Sequence, residues 1–473
     1  MLALRIRGYG DGKSIDKCKR IIVFLSYWKR YYWAKIRAKS VVARRIECFP
    51  TLQIVADQRD FLGFSVLIEP GCATFCHPLV WSIFPMSHLP ILRCLCLSLA
   101  LVLLQSPLWA QDHRVSTADE LVIALREIQG GTIVLAPGRY GDLVLRDRSF
   151  KNPVTLRAEV PRKAIFGQVR LMNSSNLQFE GIRLEKQFRV ESSKNIAIRG
   201  CLSDNMLYFR NVSHLRIQDC DISGGQFGVI FNSVADFEIR QSRVGKVSED
   251  VMRVTGDSHD GLIEGNILDD VISYPPTHPD LIQMFGAQGK TPARITIRRN
   301  LLRDDHATGS PKRTAQGIFV SDPAGGGYRD ILIEENVINT RSANTIYING
   351  GQKNVVVRNN TLLPGVGDGG AIIRLVGKAR QSNSGTSVEE NIAKQILDET
   401  KDARVRQNYL YGRGAKIPAL FSGTGTRWQD FLPVLGTGPD KPGLGATGFL
   451  RELLAAQKPG AKGGPRLGPD WSE

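Results

Sequence analysis

Two stretches of the chain gather side chains able to do chemistry. His278-Pro279-Asp280-Leu281-Ile282-Gln283-Met284 sets an imidazole, a carboxyl and an amide in one short run, and Glu249, Asp250 and Arg253 stand one repeat upstream. Removing a weakly acidic proton beside a carboxylate needs a base at the carbon and a positive charge to hold the developing anion. Arg253, Arg374 or a Ca²⁺ held by Asp250 and Asp280 could supply the charge. His278 or Tyr347 could move the proton, so the expected catalytic set is His278, Asp280, Arg253, Gln283 and Tyr347. Other readings stay open: Arg253 pairs only with Asp250 or Asp280, His278 only fixes a turn before Pro279, and Tyr347 or Arg374 only supports a bound ligand.

A pair of carboxyl groups also suits hydrolysis. If Asp250 and Asp280 occupy equivalent places in adjacent repeats they stand about 5 Å apart, near the spacing of retaining glycosidases. Other chemistries lack their motifs: Gly12-Lys13-Ser14 and Gly289-Lys290-Thr291 have no leading glycine at phosphate-loop spacing, where Arg7 and Met284 stand, and there is no nucleophile elbow. Cys72, Cys76 and His77 have no second ligand pair at zinc spacing, and Asp257 to Asp260 lacks the ligand order of an EF-hand.

What could position these residues is a repeat. Short β-like runs recur as Ile198-Arg199-Gly200-Cys201, Ile217-Gln218-Asp219-Cys220, Ile239-Arg240-Gln241-Ser242 and Ile263-Glu264-Gly265-Asn266. They continue as Ile297-Arg298-Arg299-Asn300, Ile333-Glu334-Glu335-Asn336, Val357-Arg358-Asn359-Asn360, Val388-Glu389-Glu390-Asn391 and Val405-Arg406-Gln407-Asn408. A strand-sized unit of this kind cannot bury its apolar side alone and must stack on its neighbours. Stacking at the strand spacing of about 4.8 Å would bring the fourth residues together as an Asn ladder from Asn266 to Asn408. Cys201 and Cys220 fall in that column as buried free thiols, with a disulfide as the alternative.

A second strand in each repeat aligns by apolar pairs such as Met252/Val254, Ile282/Met284, Ile318/Val320, Ile346/Ile348 and Ile373/Leu375. Alternation sends the residue between each pair outward. That column reads Ile230, Arg253, Gln283, Phe319, Tyr347, Arg374. Two residues before each pair stand Phe227, Asp250, Asp280, Gln316, Asn344 and Ala371, taken as part of the same polar face. Gln316, Phe319, Asn344 and Arg374 are the expected substrate-binding residues, and Asp250 with Asp280 the expected metal ligands. Loops add Asp257, His259, Asp260, Asp304, Asp305, His306, Lys312 and Arg313.

At this point the chain, over about residues 112–411, resembles the right-handed parallel β-helix proteins of the pectate-lyase-like superfamily. Gly131-Thr132-Ile133-Val134-Leu135-Ala136-Pro137-Gly138-Arg139-Tyr140 and Pro153-Val154-Thr155-Leu156-Arg157-Ala158 look most like the branch of chondroitinase B and alginate lyases. The resemblance implies an all-β, right-handed parallel β-helix acting on an acidic polysaccharide by lyase or epimerase chemistry. Hydrolysis through Asp250/Asp280 and a non-catalytic glycan-binding or adhesin role are the alternatives.

The ends differ in character. Residues 1–85 hold 14 Lys/Arg against 6 Asp/Glu, so 14 − 6 = +8 of the chain's +16 precedes the foldable part, which weakens the charge argument for nucleic acid, and none is expected as a partner. From Met86 a polar start leads to Cys94-Leu95-Cys96-Leu97-Ser98-Leu99-Ala100-Leu101-Val102-Leu103-Leu104 and on to Ala110, the layout of a signal peptide. The expected organisation is a non-native extension (1–85), a signal peptide (86–110), a β-helix (111–411) opened by a capping helix after Ser116-Thr117, and a Gly/Pro-rich tail or cap (412–473). The product would be a secreted or periplasmic monomer without a membrane anchor. Mass spectrometry of the native precursor should find translation starting at Met86, and a single peptide from residues 1–85 would sink that expectation.

Overall fold

The computed structural model describes residues 52–56, 64–68, 113–304, 314–321, 327–458 and 464–469. The expected signal peptide with Cys94 and Cys96, the four cysteines before it, and Asp305, His306, Lys312 and Arg313 lie outside the described residues. The chain divides into two units, residues 1–106 and 107–473. In the first, strands Leu52–Ala56 and Phe64–Ile68 pair antiparallel.

The second unit is a parallel β-solenoid. One 13-stranded sheet takes the first strand of each coil, and a 21-stranded sheet takes the other two strand series. Register follows the sequence repeat residue by residue: Ile297 pairs with Ile333, Ile333 with Val357, and Val357 with Val388. These side chains are at most 1% exposed and form continuous apolar columns through the interior. Rings stack there as well, with Phe231 4.4 Å from Phe237 and 5.9 Å from Phe209, centroid to centroid.

Each coil bends at the residue before the ladder position. Gly200, Asp219, Gln241, Gly265, Arg299, Glu335, Asn359, Glu390 and Gln407 all take positive φ. A left-handed conformation costs a non-glycine residue about 1–2 kcal/mol. The next side chain offsets it. Asn336 Nδ2 donates to Ile297 O (2.9 Å) and to Asn360 Oδ1 (3.0 Å), while its Oδ1 accepts from the backbone N–H (3.1 Å) and Nδ2 (2.9 Å) of Asn300. The same pattern runs from Asn266 through Asn300, Asn336, Asn360 and Asn391 to Asn408. Before it, Ser242 N–H donates to Asn266 Oδ1 and Cys220 N–H to Ser242 Oγ. Cys201 and Cys220 are free and buried, and burial pushes the Cys220 thiol well up.

Helix Ala118–Glu127 covers the first coil. Thr117 Oγ1 accepts from Glu120 N–H, and the Glu120 carboxylate accepts in return from Ser116 N–H and Oγ. Leu121 and Leu125 are buried against the sheet end, as expected of a cap.

The C-terminal segment, expected as a tail or cap, packs along the coils. In the later coils the third strand carries apolar residues on both faces, and the outward ones, Leu301, Val337, Leu363 and Ile392, need a cover. Phe421, Phe431, Phe449, Leu450 and Leu453 provide it in a second core. Gly445 N–H donates to Glu390 O, Ala446 N–H to Thr361 Oγ1 and Gly468 N–H to Gly265 O, so the segment runs back along the coil corners. Glycine and proline serve here to follow a bent surface. No helix among the described residues is long and apolar enough to cross a membrane.

Replacing Asn336 by Ala leaves Asn300 N–H and Ile297 O buried without partners. The expected loss is about 2–4 kcal/mol in denaturant unfolding, against a clearly smaller loss for Asn408→Ala at the half-buried end of the ladder.

Candidate active site

The outward column has the expected register. Ile230 pairs with Arg253, Arg253 with Gln283, Gln283 with Phe319, Phe319 with Tyr347, and Tyr347 with Arg374. Phe319 and Tyr347 stack at 4.3 Å and 23°. Lys378 Nζ lies 5.8 Å from the Tyr347 ring centre and 3.1 Å from Ser321 Oγ. Arg374 pairs with Glu399 at 2.7 Å. Asn344 Nδ2 donates to Gln316 Oε1 at 2.5 Å, next to the stacked rings. Tyr347, with 6% exposure, is enclosed by these neighbours although its position faces out of the coil.

Asp250 and Asp280 depart from the expectation. They stand three residues before Arg253 and Gln283, an odd offset, so alternation groups them with the core-facing Met252 and Ile282. Their exposures are 1% and 0%. Asp250 accepts from Arg253 Nε at 2.5 Å and from Asp280 N–H at 2.7 Å. Neither Asp280 oxygen has a hydrogen-bond partner, although Gln283 and Gln316 flank it. Burial, then the charge of Asp250, pushes the Asp280 carboxyl well above the usual carboxylate range, with Gln283, Arg253 and Gln316 opposing. Burial also raises Asp250, against the pull of Arg253. The pair is sealed at a coil corner, with both carboxyls pushed up and Asp280 the more strongly. Sealed in this way, the pair does not face a substrate as the two carboxyls of a glycosidase must, which counts against hydrolysis through Asp250 and Asp280.

Calcium fits these residues poorly. It takes six to eight oxygens, whereas Asp250 is held by Arg253, Asp280 is sealed, and no group of three or more acids, His or Cys suited to a metal occurs among the described residues. Arg253 itself is enclosed. Its guanidinium lies 4.1 Å from the Phe227 ring centre and 5.8 Å from that of Phe285, and also contacts Glu249 at 3.5 Å.

The loop residues divide. His278 is exposed and makes no hydrogen bond or ion pair among the described residues. Asp304 is buried and accepts from the N–H groups of Val271 and Ala315, which ties loops to the coil. His259 and Asp260 belong to strand His259–Glu264 of the 13-stranded sheet, where Asp260 pairs with Arg294 at 2.6 Å. They are not part of this face.

Sequence reasoning also missed part of the column. It continues toward the N-terminus as Tyr208, Arg189 and Arg170. Arg170, Arg189 and Arg210 all pair with Glu191 at 3.2, 2.9 and 3.0 Å, and Arg189, ahead of its other partners, holds the Glu191 carboxyl down at about 2. The signal was present in Phe188–Glu191 and Leu207–Arg210, but each strand is only four residues long.

The raised Asp280 carboxyl has a sign. A group that holds its proton more tightly when folded stabilises the fold below its unfolded value and loses that contribution as pH rises through its folded value. Asp280→Asn should therefore flatten the decline of melting temperature above about pH 4, with an advantage over wild type that widens with pH. Parallel melting curves from pH 4 to 9 check it, and a constant offset would contradict it.

Among solved structures, the chain is similar to a PL6 family polysaccharide lyase from Pseudopedobacter saltans at 14% identity and TM-score 0.36, over 62% of this chain and 65% of that one. The chain thus spans just under two thirds of that lyase. It is similar to an alginate lyase from Paenibacillus at 13% identity and TM-score 0.39, over 63% and 98%. The surface adhesin PfbA of Streptococcus pneumoniae gives 12% identity and TM-score 0.45, over 62% and 91%. No curated protein matches. Residues 205–392 match the family model described as right handed beta helix region, and the parallel solenoid is a right-handed parallel β-helix.

Proposed function

We propose that the protein acts on a uronate-containing polysaccharide along the outward column, by lyase or epimerase chemistry. The observation that carries this reading is the in-register succession of cations, amides and stacked rings from Arg170 to Arg374. Aromatic faces take the apolar faces of sugars, while guanidinium groups recognise carboxylates. Gln283, Gln316 and Asn344 would hold sugar hydroxyls beside the Phe319/Tyr347 stack.

In the reaction, a base takes the proton on the carbon beside the uronate carboxylate, which Arg374 on the next rung neutralises. Electrons then either expel the glycosidic oxygen, which takes up a proton and leaves a double bond, or receive a proton on the opposite face. Tyr347 and His278 are the proton-transfer groups in this reading. Asp280 has another part: its backbone N–H holds Asp250, which in turn fixes Arg253. The chain's export to the periplasm or cell exterior belongs to the same proposal.

One observation favours a passive glycan-binding module instead. Arg253 and Arg374 already meet Asp250 and Glu399, so no charge on the central rungs is uncommitted before a ligand arrives.

Incubation of the protein with alginate, pectate, chondroitin and hyaluronan should produce ultraviolet absorbance from unsaturated ends, or proton exchange into the polymer if it epimerises. Tyr347→Phe should lower kcat by about 10²-fold or more with binding retained. Full activity in both Tyr347→Phe and His278→Ala would refute the assignment, and binding without turnover in wild type would establish the passive module.

A further inference from the structure

The outer face of the 13-stranded sheet carries a column of charges that alternates in sign. In register, each paired to the next, stand Arg157, Glu180, Arg199, Gln218, Arg240, Glu264, Arg298, Glu334, Arg358, Glu389 and Arg406. The later rungs are knit by ion pairs: Arg298 to Glu264 at 2.7 Å, Arg358 to Glu334 at 2.7 Å and Arg406 to Glu389 at 2.5 Å. Opposite charges on facing positions of neighbouring strands stabilise a sheet, and like charges destabilise it.

The alternation fails once. Gln218 stands where a glutamate would continue it, between Arg199 and Arg240. The consequence is visible in Arg199, which is exposed and, among the described residues, has no carboxylate partner; its guanidinium donates to Gln218 Oε1 at 2.9 Å. Arg240 is held by Glu238 at 2.9 Å and by Glu264 on the next rung at 3.3 Å, and Arg216 reaches Asp236 at 2.7 Å, so Arg199 is the arginine left without a carboxylate. Around Gln218 lies a surface hollow of about 280 Å³, lined by Arg199, Arg216 and Arg240 against Glu180 and Glu238. Its size falls just below the roughly 300–1,000 Å³ of small-molecule pockets, which suits one sugar residue and not a polymer.

We infer that this hollow binds a carboxylate, supplied by a single uronate residue, which takes the place of the missing rung between Arg199 and Arg240. A planar guanidinium recognises a carboxylate in two-point fashion, and the flanking amide of Gln218 can donate to a sugar hydroxyl. The carboxylate is read from the charge gap alone; its carriage on a uronate rests on the proposed function. The hollow lies on a different sheet from the Arg253–Arg374 column and forms a second carbohydrate contact.

Isothermal titration of the full chain with a uronate disaccharide, and with its uncharged counterpart, tests this. Wild type should show a site that weakens with salt and ignores the uncharged sugar. Gln218→Glu, which completes the alternation, should weaken that site at least tenfold and raise the melting temperature; Arg199→Ala should weaken it without the thermal gain. Turnover of polymer should be the same in Gln218→Glu as in wild type. A disaccharide isotherm unchanged by Gln218→Glu overturns the inference, as does equal binding of the uncharged sugar. Any site insensitive to Gln218→Glu reports on the proposed active face, so the two readings fail separately.

Discussion

The fold depends on one repeated exchange at the coil corner: a left-handed residue makes the bend, and the next side chain supplies the hydrogen bonds that the bend leaves open. Arg299, Glu335 and Gln407 are poor choices for positive φ. They are held there because Asn300 and Asn336 bond both to the coil before and to the coil after, and Asn408 to the coil before. An isolated turn of this kind would open. Stacked, each amide fixes its neighbour's orientation, and every column on the two sheets inherits the same phase. The outward column and the charge ladder are therefore readouts of one register.

That register was legible in the chain because it leaves a signature of type and spacing. The Ile-x-x-Asn runs gave the strand, the bend and the ladder, and the apolar pairs gave the order Arg253, Gln283, Phe319, Tyr347, Arg374. What misled was parity. Asp250 and Asp280 were grouped with a polar face by their chemistry, whereas an odd offset turns them into the coil. Exposure was equally illegible, since Tyr347 faces outward in register yet is enclosed by Phe319 and Lys378 from other coils. Segments without a period gave least: the Gly/Pro-rich end carries no repeat, and the only hint of its docking was a row of apolar residues on the wrong side of the third strands.

The buried carboxyl pair and the C-terminal strap act on the same coils from different sides. Arg253, fixed by Asp250 and enclosed between Phe227 and Phe285, stiffens the middle of the face. On the corner side, Arg299 joins Glu335 and Glu452 and lies 5.4 Å from the centre of the Phe449 ring, tying helix Thr447–Ala456 to successive coils. Rigid elements place groups more accurately than loops do, and the column from Arg253 to Arg374 lies on strands throughout.

The alternating ladder bears on how such a protein can change length. Solenoids ordinarily lengthen or shorten by tandem duplication or loss of single coils, because each coil contacts only its neighbours. Here, loss of the coil bearing Glu334 would set Arg298 directly against Arg358, and duplication of it would set glutamate against glutamate. Removal or gain of two consecutive coils keeps the signs in order. The ladder therefore makes a pair of coils the least costly step by which this solenoid can change length.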